Sequence, residues 1–132
     1  MKDEMRPAYF VVCGAALGGE VDPEYTKRAR PVGVRLGLKP IAGGEVGGAQ
    51  LELLEGELPA GSSFLAIEQF PSMAALKEFY CSEEYQAAIP FREGSVRIDF
   101  LAAVEGIAQV ELDARSQELS EKEPGPRLDN GG

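Results

Sequence analysis

The sequence predicts an α+β domain in which a four-stranded antiparallel sheet carries helices on one of its faces. Two observations support this fold class. Apolar runs with strand composition alternate with segments that begin at helix caps, and their order is strand, helix, strand, strand, helix, strand. With 132 residues, of which 44% are hydrophobic, the chain is long enough for one such domain and a tail.

The first strand and the first helix follow a short leader. Residues 1–7 are charged and end in proline, so we expect them to be loose. The segment AYFVVCGAA, Ala8–Ala16, combines aromatic and β-branched residues as a buried strand does. Asp22 is a good N-cap for a helix predicted over Pro23–Leu36, whose first residue suits that position. Pro31 is expected to kink or split this helix.

The second strand begins near Leu38 and is followed by the glycine-rich GGEVGG and by QLELL at residues 50–54. The glycines permit a bend, so the segment is either one bent strand or a strand followed by a short hairpin arm. The run FLAIEQF, Phe64–Phe70, predicts the third strand.

The second half of the domain repeats the pattern of a helix followed by a strand. Ser72 caps a helix predicted over Met73–Tyr80, and Ser82 caps a further helical segment that ends at Pro90. Arg97–Glu105 is the predicted last strand, which closes a domain over residues 8–106. Residues 107–132 form an acidic tail, for which we predict a possible short strand over 107–114 and disorder beyond it.

This element order is the ferredoxin-like βαββαβ arrangement. Its helices cover one face of the sheet, but the alternation of apolar residues in the third and last strands leaves both faces largely apolar. In the last strand we expect Ile98, Phe100, Ala102 and Val104 to share one side. The economical cover for the second face is another copy of the sheet, so we predict a homodimer that forms a dimeric α/β barrel.

Composition excludes several function classes. The net charge of −9, with no basic cluster, argues against binding to nucleic acid or to an anionic membrane surface. The chain has no histidine, which removes a Ser-His-Asp triad and every histidine-ligated metal site. Cys13 and Cys81 lie far apart and form no metal or redox motif. We therefore predict no metal, no cofactor, no membrane span and a cytoplasmic location.

Several segments resemble a known family: AYFVV, DPEYTKRARP, the pair Gly43–Gly44, LELLEG, FLAIEQFPSMAALKEFY, SEEYQAAIPFREG and a final VEG. Over about Ala8–Gly106 the chain resembles the uncharacterised domain-of-unknown-function 1330 family of the dimeric α/β-barrel superfamily. The resemblance implies a ferredoxin-like protomer, a dimer and a pocket between sheet and helices, and it implies no reaction. Glu83, where the family often has proline, and Cys81, where a short polar residue is expected, depart from the pattern.

The candidate catalytic residues are Glu68 and Tyr85. Glu68 lies in an apolar strand on the side of Phe64, where a carboxylate is costly unless it is paired. Burial would raise its pKa and make it a general acid or base, and the alternative is a salt bridge at the end of the sheet. Tyr85 lies one turn past Ser82 and is either a catalytic phenol or a packed ring whose hydroxyl finds a partner.

The candidate substrate-binding residues are Arg92, Arg97, Asp99, Phe64 and Tyr25. The family resemblance places an arginine near Arg92, which either anchors a carboxylate ligand or ties its loop to a carbonyl group. Arg97 and Asp99 alternate onto one face of the last strand, where they pair with Glu68, bind an anionic substrate or form a structural ion pair. Tyr25 is alternatively a core aromatic residue.

Two functions agree with these residues. The first is a small cofactor-independent enzyme, of cyclase, isomerase, decarboxylase or oxygenase type, that acts on an apolar carbonyl-bearing metabolite. The second is a protein of the same fold that binds a small ligand without catalysis, or serves as an accessory protein. A buried Glu68 beside an arginine or a tyrosine favours the enzyme, whereas a wholly aliphatic pocket favours the binding protein.

Overall fold

The structure is a computed structural model that describes residues 6–18, 21–46, 48–59 and 61–122. Within it, the predicted α+β class is confirmed. Strands β1 (Ala8–Ala16), β2 (Lys39–Glu45), β3 (Phe64–Phe70) and β4 (Val96–Glu105) form one antiparallel sheet in the order β2-β3-β1-β4. Most of the predicted leader, residues 1–5, and the last ten residues of the predicted tail, 123–132, lie outside the described part of the chain.

The helices follow the predicted βαββαβ order: α1 (Pro23–Leu36) joins β1 to β2, and α2 (Met73–Cys81) with α3 (Glu83–Ala88) and a 3-10 turn (Ile89–Phe91) joins β3 to β4. The side chain of Asp22 accepts a hydrogen bond from the backbone N–H of Glu24 at 2.9 Å, as the N-cap prediction requires. α1 runs through Pro31 without a break. It ends at Gly37, whose φ of 85° is the left-handed conformation that glycine adopts at low cost.

Two predictions outside these elements are wrong. Residues 50–54 form neither a bent strand nor a hairpin arm, and β2 ends at Glu45. The short strand predicted over 107–114 is instead the start of a helix, α4 (Gln109–Lys122). α4 is rich in glutamate, glutamine and leucine, and Gln109 donates a hydrogen bond to Asp113 at 2.9 Å. This local helix propensity favours a helix over the predicted strand.

One face of the sheet packs on the helices and forms the core. The buried residues of this core are Ala8, Phe10, Ala29, Val32, Phe70, Leu76, Phe79, Tyr85 and Ala88. Phe10 meets Phe70 and Phe79 edge to face, with ring centroids 5.3 and 6.0 Å apart. α2 packs on the sheet, whereas α1 packs mainly on α2, α3 and the 3-10 turn.

A β-bulge changes the predicted facing of β4. Cys13 pairs with Phe100 while the next residue, Gly14, pairs with Ile98, so Asp99 is an extra residue between them. As a consequence, Ile98 turns toward the helices, and Phe100 turns to the opposite face of the sheet. The prediction that Ile98 and Phe100 share one side is wrong for this reason.

The face opposite the helices, the open face, is mostly apolar. Its apolar residues include Tyr9, Val11, Leu65, Ile67, Phe100, Ala102 and Val104, and the polar Gln69 lies on the same face. Phe100 and Val104 are 40% and 48% exposed in the single chain. An apolar surface of this kind is typical of an interaction site. The homodimer inferred from the sequence stays a prediction.

Candidate functional site

A cavity of about 190 Å³, the inner cavity, lies between the sheet and the amino-terminal part of α1. Most of its lining is apolar and comes from all parts of the fold, including Phe10, Val12, Phe64, Ile98 and Leu101. Four residues with polar groups join this lining: Tyr25, Glu68, Tyr85 and Arg92. An apolar cavity with a few convergent polar groups is the usual form of a small-molecule site.

Glu68 reaches the inner cavity because of its register in β3. It lies opposite Phe10 in β1 and opposite Pro40 in β2, which places its side chain on the helix face among core residues. Within the described residues, no hydrogen bond or ion pair satisfies its carboxyl group. Burial raises the pKa of the Glu68 carboxyl, and no cation offsets this effect. A raised pKa favours the protonated form of this carboxyl group and makes its ionised form a better proton acceptor.

Tyr85 lies at the start of α3, where Ser82 accepts a hydrogen bond from its backbone N–H at 3.1 Å. Its ring is buried, and its hydroxyl lies 3.1 Å from the hydroxyl of Tyr25 on α1. Burial raises the pKa of the Tyr85 phenol far above its usual range, and Tyr25 adds to this effect more than Arg92 opposes it. A raised pKa favours the protonated phenol, whose hydroxyl accepts from Arg92 and keeps a proton that it can donate.

Arg92 follows the 3-10 turn, and its Nη1 donates a hydrogen bond to the Tyr85 hydroxyl at 2.5 Å. Its Nε is buried and has no hydrogen-bond partner among the described residues. In the same part of the chain, no carboxylate forms an ion pair with Arg92. A partly buried guanidinium without a counter-ion is costly, and an anionic ligand would supply one.

Arg97 and Asp99 lie outside the inner cavity. Arg97 donates from Nε and Nη2 to the two oxygens of Asp99, at 2.9 and 3.0 Å. The Ser62 hydroxyl donates to the same carboxylate at 2.5 Å. Of the alternatives for Arg97 and Asp99, the structure contains the ion pair between the two residues. The predicted pairing with Glu68 is wrong. Because Asp99 is the extra residue of the bulge, its side chain does not follow the simple alternation along β4.

The structure therefore places five of the predicted residues at one cavity: Glu68, Tyr85, Arg92, Phe64 and Tyr25. The hydrogen bond between the hydroxyls of Tyr25 and Tyr85, which are 60 positions apart, was not predicted from the sequence. Ile98 was also missed as a lining residue, because the bulge is not visible in the sequence pattern. The contact with Tyr85 had one signal in the sequence, the position of Tyr25 on the apolar face of α1. Packing of Tyr25 into the core explains that position equally well.

The cysteines are away from the cavity. Cys13 is buried and its Sγ donates to the Ser62 hydroxyl at 3.4 Å, and Cys81 is exposed on α2. Over the described ranges, no group of three or more Cys, Asp or Glu side chains is placed to hold a metal ion. No helix in those ranges is long and apolar enough to cross a membrane.

Comparisons with known proteins give a family and a fold. The family described as "Domain of unknown function (DUF1330)" matches residues 18–107. The crystal structure of methylated RPA0582 protein is similar at 19% identity and a TM-score of 0.54, covering 81% of this chain and 84% of that one. The structure of RPA0582, a protein of unknown function from Rhodopseudomonas palustris, is similar at 19% identity and a TM-score of 0.53, with coverages of 78% and 82%. No curated protein matches the chain.

Proposed function

The chain belongs to the DUF1330 family, whose description assigns no reaction, and on the geometry of the inner cavity we propose that it is a small enzyme that moves a proton on an apolar, anionic carbonyl compound. The observation that carries this proposal is the position of Arg92, a cation without a carboxylate partner among the described residues, in the same apolar cavity as the carboxyl of Glu68, whose pKa burial raises. The reaction is of isomerase type and uses no cofactor.

Arg92 anchors the anionic group of the substrate. Its Nε is free of protein partners in the described part of the chain, while its Nη1 is held by Tyr85. A carboxylate bound there would neutralise the guanidinium and place the rest of the substrate against the apolar lining. Charge-assisted hydrogen bonds of this kind are about twice as strong as neutral ones.

Glu68 transfers the proton. In its ionised form, the carboxylate takes a proton from the carbon next to the substrate carbonyl, and the electron pair of that C–H bond passes into an enolate. The protonated Glu68 then returns the proton to a different atom of the enolate. No group leaves and nothing is oxidised. A pKa raised by burial brings the carboxyl group toward the operating pH, where a general acid or base is most effective.

Tyr85 stabilises the enolate oxygen as a hydrogen-bond donor. Its oxygen already accepts the hydrogen bond from Arg92, so its proton points either to Tyr25 or to a ligand. A donor that is fixed in an apolar site before the reaction contributes strongly to the stabilisation of a developing oxyanion.

The homodimer and the cytoplasmic location belong to the same proposal. The apolar open face supports a dimer in which the sheets of two copies face each other, which leaves the inner cavity on the helix side of each sheet. The alternative, a ligand-binding protein without catalysis, is supported by the aliphatic remainder of the lining, which would retain an apolar anion equally well.

Exchange of α-protons in deuterated water separates the two functions. Short 2-oxo acids, such as 2-oxobutanoate and 2-oxohexanoate, serve as probes, and proton NMR follows the loss of the signal next to the carbonyl. We expect the wild-type chain to accelerate the exchange and Glu68→Gln to abolish the acceleration while preserving the fold. Glu78→Gln, on the exposed side of α2, is the matched control. Unchanged exchange in Glu68→Gln would remove Glu68 from the mechanism, and binding without exchange would favour the binding protein.

A further inference from the structure

A second cavity lies on the other side of Glu68 from the inner cavity. This rear cavity measures about 340 Å³ and lies between α1 and the start of β2, next to Leu38 and Pro40. Tyr25, Glu68 and Tyr85 line both cavities. The side chain of Glu68 therefore forms part of the wall of both cavities, whereas Arg92 lines the inner cavity and not the rear one.

Most residues that line the rear cavity are apolar, and Thr26 and Arg30 of α1 add polar groups at its exposed side. The helix side is formed in part by Ala29 and Gly33, two small residues one turn apart on α1, and the far side includes Phe79. Glycine inside a helix is unfavourable relative to alanine, and Gly33 has no positive φ that would require it. A Cβ added at Gly33 would lie 3.5 Å from carbon atoms of Leu38 and Phe79, which is an ordinary contact distance. A methyl group would therefore fit at Gly33 in contact with Leu38 and Phe79, and nothing in the backbone demands a glycine there.

Both cavities border α1, which packs mainly on α2, α3 and the 3-10 turn. The side chains of Glu68, Tyr25 and Tyr85 line both cavities. A molecule that fills both would have one end at Arg92 and the other among Ala29, Gly33 and Leu38.

We propose that the rear cavity binds the apolar end of an elongated carboxylate whose charged group is held at Arg92, so that the ligand passes beside Glu68. The inference rests on the proposed function, because it takes Arg92 as the anchor for the anion. It adds a second binding site and a substrate class: straight-chain or similarly slender apolar acids that are too long for the inner cavity. Such a ligand separates the hydroxyls of Tyr25 and Tyr85, which lie 3.1 Å apart in the free chain, where it crosses from one cavity to the other.

Calorimetric titration with straight-chain carboxylates of increasing length tests this inference. Once the chain is long enough to enter the rear cavity, we expect each added methylene to tighten binding by about three- to fourfold, until the cavity is full. In Gly33→Leu, the new side chain occupies the rear cavity, so short acids should bind as they do to the wild type while the gain for long acids is lost. Gly33→Ala, which fits without displacing its neighbours, should lose part of the gain.

Lys27→Leu is the matched control, because it adds the same side chain to an exposed position of α1 outside both cavities. Thermal unfolding confirms that each variant is folded. If short acids bind but the wild type shows no gain with length, or if both Gly33 variants keep the full gain, the rear cavity is not part of the site and the inference fails alone. If neither short nor long acids bind to the wild type, the proposed anchor at Arg92 fails, and the inference fails with it.

Discussion

Glu68 lies directly opposite Phe10 across the ladder of β1 and β3. This pairing places a carboxyl group beside one of the most deeply packed aromatic rings of the core, which itself contacts Phe70 and Phe79. Burial removes the hydration that stabilises a carboxylate, and no cation among the described residues forms an ion pair with Glu68. The stability of the fold should therefore depend on the protonation of this one side chain.

The first prediction concerns the pH dependence of stability. Burial raises the pKa of Glu68 in the folded state above its unfolded value of about 4.3. Between these two pKa values the folded chain holds a proton that the unfolded chain has lost, so the contribution of Glu68 to stability falls as the pH rises through this window. Each unit of difference corresponds to about 1.4 kcal/mol. Glu68→Gln removes this dependence, so its stability relative to the wild type should rise over the same window.

Chemical unfolding at a series of pH values from about 4 to about 8 measures the free energy of unfolding of both proteins. Glu78→Gln, in which an exposed carboxyl is neutralised, is the control and should follow the wild type. A stability difference between Glu68→Gln and the wild type that is constant across the series would mean that the Glu68 carboxyl is solvated in the folded state.

A second prediction separates the hydroxyl of Tyr85 from its ring. Tyr85→Phe keeps the packing but removes the group that accepts from Arg92 and contacts Tyr25. Removal of an oxyanion donor costs about 100- to 1,000-fold in rate in well-studied enzymes. We expect α-proton exchange to slow by up to this amount while carboxylate binding persists.

Because the pKa of Tyr85 is raised, the wild-type rate should show no alkaline limb from this phenol. The same exchange assay, run from neutral to alkaline pH, checks both points, with Tyr80→Phe as the control. An alkaline limb that disappears in Tyr85→Phe but not in Tyr80→Phe would show that Tyr85 ionises during the reaction.

A third prediction addresses the open face. Ile67 lies near the middle of this face, opposite Val11 in β1. A single chain has a mass of 14.1 kDa, and sedimentation of the wild type at micromolar concentration should give twice this value. Ile67→Asp places a charge in the predicted interface and should give single chains, whereas Val34→Asp, on the exposed side of α1, should not. A wild type that sediments as single chains contradicts the dimer.

A fourth prediction tests the role of the ion pair on β4. Asp99 accepts from Arg97 and from Ser62, and the hydrogen bond from Arg97 is the largest reason that the pKa of Asp99 is lowered. A lowered pKa means that this contribution to stability is present above the unfolded pKa and is lost as the pH falls through the folded one. Asp99→Asn should therefore lower the melting temperature at neutral pH and less so in acid, without changing carboxylate affinity. Asp113→Asn on α4 is the control, and a loss of carboxylate binding in Asp99→Asn would return Asp99 to the site.

The elements that could be predicted from sequence are those whose signals are local. α1 has a cap, a first-position proline and a terminal glycine within one segment, and its predicted bounds agree with the structure. β3 likewise begins and ends where its apolar run does. Glu68 stood out because it interrupts the apolar run of β3, and Tyr85 because it lies one turn past the Ser82 cap.

The features that could not be predicted depend on how distant segments meet. The bulge at Cys13 and Gly14 arises from the register between β1 and β4, so the facing of Ile98 could not be read from β4 alone. The hydrogen bond between Tyr25 and Tyr85 depends on the packing of α1 against α3. The two cavities beside α1 have the same origin, since helical periodicity says which face of a helix is apolar but not how that helix packs on other elements. The missed helix α4 is a different case, because its helix propensity lies within the segment itself.

The role of Arg92 as the anchor of an anionic ligand is tested by calorimetric titration of 2-oxooctanoate into the wild type and into Arg92→Met, which keeps much of the bulk of the side chain and removes the charge. Arg115→Met, on exposed α4, is the control. We expect one binding site per chain in the wild type and in Arg115→Met, and an affinity at least tenfold lower in Arg92→Met, as expected for the loss of a charge-assisted hydrogen bond. Equal affinity in all three proteins, or no binding to the wild type, would contradict the proposed site.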